Sequence, residues 1–311
     1  MEVKENNLFS GLAGKRLVLF SGKGGVGKTT VAGAFARWAA RRGRQVMLLE
    51  VRSRRELPGL FGRQDADDGP RQLAEGISWM NLTDRRALQT YGMLKLRFRA
   101  VYRAVFEQRL VRRFLQAVPA LSEILVLGHL AHLVEHQPGV LHVVDAPASG
   151  QGRQLLAAPR AVLDTVRSGP LYESVSWIQD LLADGRRTAI GLVVVGEELS
   201  VNEALELYER LHRQLQLPVQ ALIANRLLAH PLDAPVRKLL ERCRLEPELA
   251  PAVGNALRLH ERVALQQRYL DRLRAGVPLP LAELFEVIEA DDAAAPLRRL
   301  AEQMDSAEEG R

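Results

Sequence analysis

Short, nearly unbroken apolar runs alternate along this chain with longer segments in a helical pattern. The runs are Arg16 to Ser21 (RLVLFS), Gln45 to Val51 (QVMLLEV), Ile77 to Leu82 (ISWMNL), Leu141 to Val144 with Asp145 at its end, Thr188 to Val195, and Val219 to Asn225. Runs of this kind predict strands buried on both faces. Between the first two, the Ala-rich stretch Thr29 to Arg42 predicts a helix that Gly43 closes. Further helical patterns cover Asp84 to about Glu135, the stretch after Asp145 to about Asp184, Asn202 to Gln216, roughly Leu232 to Ala275, and Ala294 to Met304. A short apolar segment, VPLPLAEL, precedes the last of these. The tail DSAEEGR is expected to fray.

Strands that alternate with helices imply an α/β fold, a mostly parallel sheet with helices on both faces. No internal repeat and no Pro/Ser-rich linker divides the chain. One domain over residues 1–311 is therefore expected, with residues 84–136 as a helical insertion at one edge and an acidic tail after about residue 304.

The first strand–helix junction, FSGKGGVGKTT, carries the chemistry. Gly22, Gly24 and Gly27 fit the G-x-G-x-x-G spacing of a dinucleotide site, with Glu50 at the end of the next strand as an acid for a ribose hydroxyl. Gly22, Gly27, Lys28 and Thr29 fit G-x-x-x-x-G-K-[ST], the P-loop. Only the second template uses Lys28, whose ammonium meets the β/γ-phosphates, and Thr29, whose hydroxyl meets Mg²⁺. The glycines leave backbone N–H groups free to converge on phosphate at the positive end of a helix. A triphosphate site also needs an acid at the end of a neighbouring strand. LHVVDAPASG supplies Asp145, followed by a small-residue loop with Gly150. The balance favours ATP over a dinucleotide.

Composition narrows the setting. The net charge of +6 permits contact with phosphates, nucleic acid or anionic lipid, and requires none of them. One cysteine, Cys243, excludes an internal disulfide framework or a cysteine-rich zinc cluster and fits a reducing compartment. The polar start MEVKENNLFSGLAGKR has no apolar core of signal-peptide length, and no run is long enough to span a bilayer. A cytoplasmic protein without an integral membrane segment is expected.

Lys23, directly after the first glycine, gives GKGGVGKTT. This string resembles the deviant Walker A of the MinD/ParA/ArsA class of dimeric P-loop ATPases. VVDAPASGQGRQLLAAPRAV is similar to the switch II region of the ArsA and tail-anchored-protein-targeting ATPases, and VNEALELYERL and ALIANRLL resemble later segments of ArsA-like proteins. The resemblance covers about residues 16 to 300, although the adenine loop near Pro278 to Leu284 is a weak match. It implies a three-layer P-loop NTPase fold, ATP and Mg²⁺ as ligands, and a nucleotide-switched dimer. It assigns Gly22, Lys23, Gly24, Gly25, Val26, Gly27, Lys28, Thr29 and Thr30 to nucleotide binding, Thr29 and Asp145 to the metal, and Asn225 to adenine. Lys23, Lys28 and Asp145 become the catalytic set, with Lys23 reaching the partner's nucleotide.

Three departures qualify that picture. Arg52 stands where the family's switch I aspartate orients the attacking water. A guanidinium only donates, and RSRREL offers no obvious substitute. Gln151 replaces a histidine common after the switch II glycine. One cysteine supports neither the zinc-bridged dimer of the targeting ATPases nor metalloid binding, so arsenite transport is disfavoured.

The expected function is an ATP-binding, ATP-hydrolysing switch whose turnover is weak. The alternatives are the weak or inactive subunit of a heterodimer with an active paralogue, and a nucleotide-gated binder of apolar helical cargo lined by ALSEILVLGHLAHLV. For the arginines between residues 85 and 113, a solvated basic face is preferred to a DNA surface. For His132 and His136, helix spacing alone does not make a metal site.

Overall fold

The computed structural model describes residues 8–53, 55–64, 67–96, 120–229, 233–243, 246, 248–288 and 292–309. Its centre is one sheet in the order β3-β4-β2-β5-β1-β6-β7-β8. The strands are β1 (Leu17–Ser21), β2 (Gln45–Val51), β3 (Arg71–Ala74), β4 (Ile77–Leu82), β5 (Val140–Asp145), β6 (Thr188–Val194), β7 (Val219–Leu227) and β8 (Leu281–Phe285). All neighbouring pairs are parallel except β3–β4. The six apolar runs became the six central strands. The two edge strands are additions: RQLA in β3 is half polar, and the prolines of VPLPLAEL mask the pattern of β8.

Both faces are covered, as the unbroken runs require. Along β1, Leu17 and Leu19 enter one core while Val18 and Phe20 enter the other. The first core packs under α4 (Asp84–Leu96), α5 (Leu121–His136), α6 (Ser149–Thr165), α7 (Pro170–Ala183), α8 (Glu198–Tyr208) and α10 (Ala250–Gly276). The shorter α9 (Ala234–Cys243) packs against α10. The second core lies under α1 (Leu8–Ala13), α2 (Lys28–Arg41), α3 (Glu56–Leu60) and α11 (Ala295–Glu309).

Three expectations change. The chain end does not fray at residue 305. α11 continues to Glu309, Asp305 pairs with Arg41 and Arg42, and Glu308 Oε1 accepts the Phe9 N–H at 2.6 Å. The helical run after Asp145 breaks into α6 and α7 around Gly169. The string ALSEILVLGHLAHLV is core rather than an open groove: Ile124, Val126, Leu127, Leu130, Ala131 and Val134 are all buried against the sheet. Of the arginines expected on that insertion, Arg97, Arg99, Arg103, Arg109, Arg112 and Arg113 lie outside the described residues. Among the described residues, no helix is long and apolar enough to cross a membrane.

Candidate functional site

The C-terminal ends of β1, β2 and β5 lie side by side, where open α/β sheets place their ligands. β1 ends in Ser21, and the chain leaves it through glycines that the geometry demands. A Cβ on Gly22 would stand 2.2 Å from the Val193 carbonyl oxygen, so only glycine lets the loop pass β6. Gly25 and Gly27 both have φ of +86°, the left-handed region that glycine enters without steric cost. Gly27 is also the residue from which α2 starts, and no side chain caps that helix. A Ser or Asp cap typically adds about 1 kcal/mol. Its absence leaves the first amides of α2 open to an anion.

The opposite wall is Asp145. β1 and β5 pair in register through Phe20 and Asp145. The Thr29 hydroxyl donates to Asp145 Oδ2 at 2.6 Å, while Oδ1 is buried without a partner. Burial pushes the Asp145 carboxyl up to about 7, against the pull of Thr29 and Lys28; Glu50 and Glu56 push the same way as burial. Two oxygens this close, one of them a buried, under-satisfied carboxylate, fit a hard divalent cation that shares few protein ligands with phosphate and water. Lys28 is itself buried, which lowers its pKa against the opposing charges of Asp145 and Glu56. Its ammonium folds back to the Lys23 carbonyl at 2.9 Å.

The remaining expected residues take distinct places. Thr30 lies in the first turn of α2. Lys23 turns toward Glu203 on α8, 3.7 Å away. Asn225, near the end of β7, is buried and donates through Nδ2 to the Val26 carbonyl at 2.9 Å. Arg226 beside it donates to the Gly25 carbonyl at 3.0 Å. These two bonds clamp the glycine loop to β7. Arg226 has φ of +56°, and nothing in the pattern of an apolar strand announced its role.

Glu50 is fully buried and occupied inside the protein. Its Oε1 accepts from the Ser53 hydroxyl at 2.6 Å and from the Glu56 and Leu57 amides, and its Oε2 accepts the Trp79 indole N–H at 2.8 Å. That removes the ribose acid on which a dinucleotide reading depends. Arg52 has φ of +51°, and its side chain is engaged across the end of the sheet. It donates to Asp84 and Ser122 and pairs with Glu123 at 3.3 Å. The histidines stand apart from all of this: the His132 and His136 rings lie 3.9 Å apart on α5, and His129 and His142 are buried.

Comparison with known proteins agrees with this geometry. The family profile described as "Anion-transporting ATPase" (ArsA_ATPase) matches residues 15–168 and 167–256. The ATPase BagA of Mycobacterium tuberculosis is 31% identical over 228 residues, 70% of this chain and 66% of that protein. Mb3704 of Mycobacterium bovis matches to the same extent. The chain thus spans just under two thirds of the length of these relatives. The matched residues contain the glycine loop, Asp145 and Asn225, and the chain belongs to the anion-transporting ATPase family.

Proposed function

We propose that this chain binds MgATP at the β1–α2 loop and hydrolyses it, as a nucleotide-switched dimer. The observation that carries the reading is the 2.6 Å bond between Thr29 and Asp145 beneath an uncapped helix N-terminus. The backbone of Gly24 to Gly27 and the first amides of α2 receive the phosphates, Lys28 neutralises the β/γ oxygens, and Thr29 and Asp145 hold the metal and its water. Bound Mg²⁺ supplies charge neutralisation at the oxygens where negative charge develops. Asn225 braces the loop from β7 and stands beside it to meet adenine. Lys23 exchanges its intrachain contact with Glu203 for the partner's phosphates when two copies close.

Calorimetry of the purified chain against MgATP and NAD, with turnover measured alongside, tests the reading. ATP binding and hydrolysis are expected, without NAD binding. A preference for NAD would defeat it. In the same preparation ATP is expected to promote association of the wild type and not of Lys23→Ala. Equal association of both would remove the cross-dimer role alone.

The ion pairs of Arg52 favour a second reading. The position that carries an acceptor in the family holds a cation engaged elsewhere, as in a weakly hydrolysing subunit paired with a complete paralogue. Steady turnover by the isolated chain at about 1 s⁻¹ or faster, an ordinary enzymatic rate, would rule it out.

A further inference from the structure

Strand β7 carries one residue too many where it passes the glycine loop. Ala224 pairs with Glu283 of β8 and Leu227 with Phe285, so three steps along β7 face two along β8. The extra residue falls at Asn225 and Arg226, and Arg226 holds φ of +56°. The core shows the same shift. Successive strand side chains alternate between faces: Ala221 and Ile223 enter the core under α2, and Leu222 and Ala224 enter the other. Undisturbed alternation would send Asn225 toward α2, Arg226 to the opposite face and Leu227 back toward α2. Leu227 instead joins Leu222 and Ala224. The bulge thus lets two consecutive side chains reach one loop, Asn225 at the Val26 carbonyl and Arg226 at the Gly25 carbonyl. Bulges beside active sites re-aim side chains in this way. A left-handed backbone on a non-glycine residue persists only where its surroundings impose it, and such residues cluster at functional sites.

The loop needs to be held. Gly24 and Gly25 are exposed, and a Cβ on Gly25 would meet nothing within 4 Å, so packing does not fix this stretch. Side-chain donors hold three of its carbonyls instead: Lys28 Nζ holds Lys23 at 2.9 Å, Arg226 Nη1 holds Gly25 at 3.0 Å, and Asn225 Nδ2 holds Val26 at 2.9 Å. In a trans peptide the N–H that follows a carbonyl points the opposite way, and no peptide among the described residues is cis. Fixing the Gly25 and Val26 carbonyls toward β7 therefore turns the Val26 and Gly27 N–H groups away from it.

We propose that Arg226 is a positioning residue for ATP: by holding the Gly25 carbonyl it aims the Val26 N–H at the phosphates before the nucleotide arrives. The assignment rests on the ATP-binding reading above. A glycine-rich loop left free would have to be ordered by the ligand, at the expense of affinity. The Lys28 bond is given up when its ammonium turns to phosphate, so in the loaded site the two bonds from β7 keep the loop in shape. The strained backbone at Arg226 is what brings the guanidinium there.

The test compares wild type, Arg226→Gly and Arg226→Lys as full chains. It reads Kd for MgATP by calorimetry at low and high salt, melting temperature, and KM and kcat. Arg226→Gly removes the side chain and accepts the left-handed backbone without strain, so its melting temperature should stay near that of wild type. Its Kd should rise about tenfold, the loss of one hydrogen bond, at both salt concentrations, with KM rising alike and kcat unchanged. Arg226→Lys keeps a donor and should fall between the two. A Kd for Arg226→Gly within about twofold of wild type would overturn the assignment. So would a loss that vanishes at high salt, which marks a screened charge and not a bond, or a fall in kcat at unchanged Kd. A lower melting temperature, with Arg226→Lys no better than Arg226→Gly, would make the residue a structural part of the strand end and overturn it too. In each of these cases ATP binding by the wild type stands and only Arg226 falls. A wild type that binds no MgATP would remove both readings together.

Discussion

The two walls of the site are built by opposite means. The wall from Ser21 to Thr29, with Asp145 facing it, is dictated by backbone necessity: Gly22 has no room for a side chain, Gly25 and Gly27 need left-handed φ, and β1 and β5 are sealed on both faces. The wall from Arg52 to Leu60 is mostly polar, includes two non-glycine residues at positive φ, and folds into a helix of a single turn and a half. It holds its shape because a buried carboxylate, Glu50, gathers amides and an indole around itself. The first wall tolerates little change at any position. The second hangs on buried Glu50 and on Leu57 and Pro58 packed beneath it, and its remaining side chains are partly or fully exposed.

Acid should act on the sealed wall first, through buried histidines whose combined contribution is the largest effect expected. His142, in the middle of β5, and His129 on α5 are each lowered to about 4, mainly by burial, from an unfolded value near 6.5. Between these values the unfolded chain binds protons that the folded chain refuses. The stability they contribute is complete above pH 6.5 and is lost as pH falls toward 4. From pH 7.5 to 5 each histidine should cost about 2 kcal/mol, while the Asp145 carboxyl, raised to about 7 in the folded chain, gives back about as much as one of them by taking up a proton that the unfolded chain does not. Urea melts of wild type and His142→Gln at the two pH values would read this, and the variant should lose about 2 kcal/mol less than wild type on going to pH 5. An unchanged slope would place the acid-sensitive groups elsewhere.

The next effect separates the two glycines that share a φ of +86°. Gly25→Ala meets nothing within 4 Å, so its cost is the left-handed backbone alone, about 1–2 kcal/mol. Gly27→Ala has the same backbone cost, and its Cβ would also stand 2.4 Å from Asn225 Nδ2, the group that holds the Val26 carbonyl. Losing that bond adds about 1 kcal/mol. Thermal melts should therefore rank Gly27→Ala below Gly25→Ala, with a larger loss of ATP affinity as well. Equal melting temperatures would mean that Asn225 moves aside without cost and does not brace the loop.

The same contrast explains what the sequence made legible. Backbone necessity leaves a spacing behind: GKGGVGKTT between two apolar runs located the loop and α2, and VVDAPASG located Asp145. The parallel sheet followed from unbroken runs such as LVLFS and QVMLLEV, because a strand covered on both faces has no polar side to show. Arg226 and Glu203 left no such trace. Each acts through a partner distant in sequence or through a single positive-φ residue, and a charged residue in a polar stretch looks the same whether it serves a site or the solvent. β3 and β8 were missed for a related reason, since edge strands need only half an apolar pattern. Glu50 shows the converse. An acid at the end of β2 fits a ribose contact by position, yet its carboxylate is occupied by Trp79, Ser53 and the start of α3.

The smallest expected effect sharpens the comparison most, because it falls on the residue that departs from the family pattern. Arg52 joins β2 to α4 and α5 through Asp84, Ser122 and Glu123, but its side chain is 29% exposed and Asp84 is 52% exposed. Exposed ion pairs contribute about 0–1 kcal/mol. Arg52→Ala also keeps the positive φ, so it neither relieves nor adds backbone cost. Thermal melts should then move by about 1 kcal/mol, most of it from Glu123, whose side chain is only 11% exposed and loses its partner, and turnover should stay at the wild-type rate because the guanidinium is engaged by Asp84, Ser122 and Glu123. Arg52→Gly differs in one respect: it accepts φ of +51° at no steric cost, so it should recover part or all of what the alanine lost. If Arg52→Ala instead changed kcat severalfold with the fold intact, the cation would reach the nucleotide during the cycle, and the division between an indispensable wall and a permissive one would not hold at residue 52.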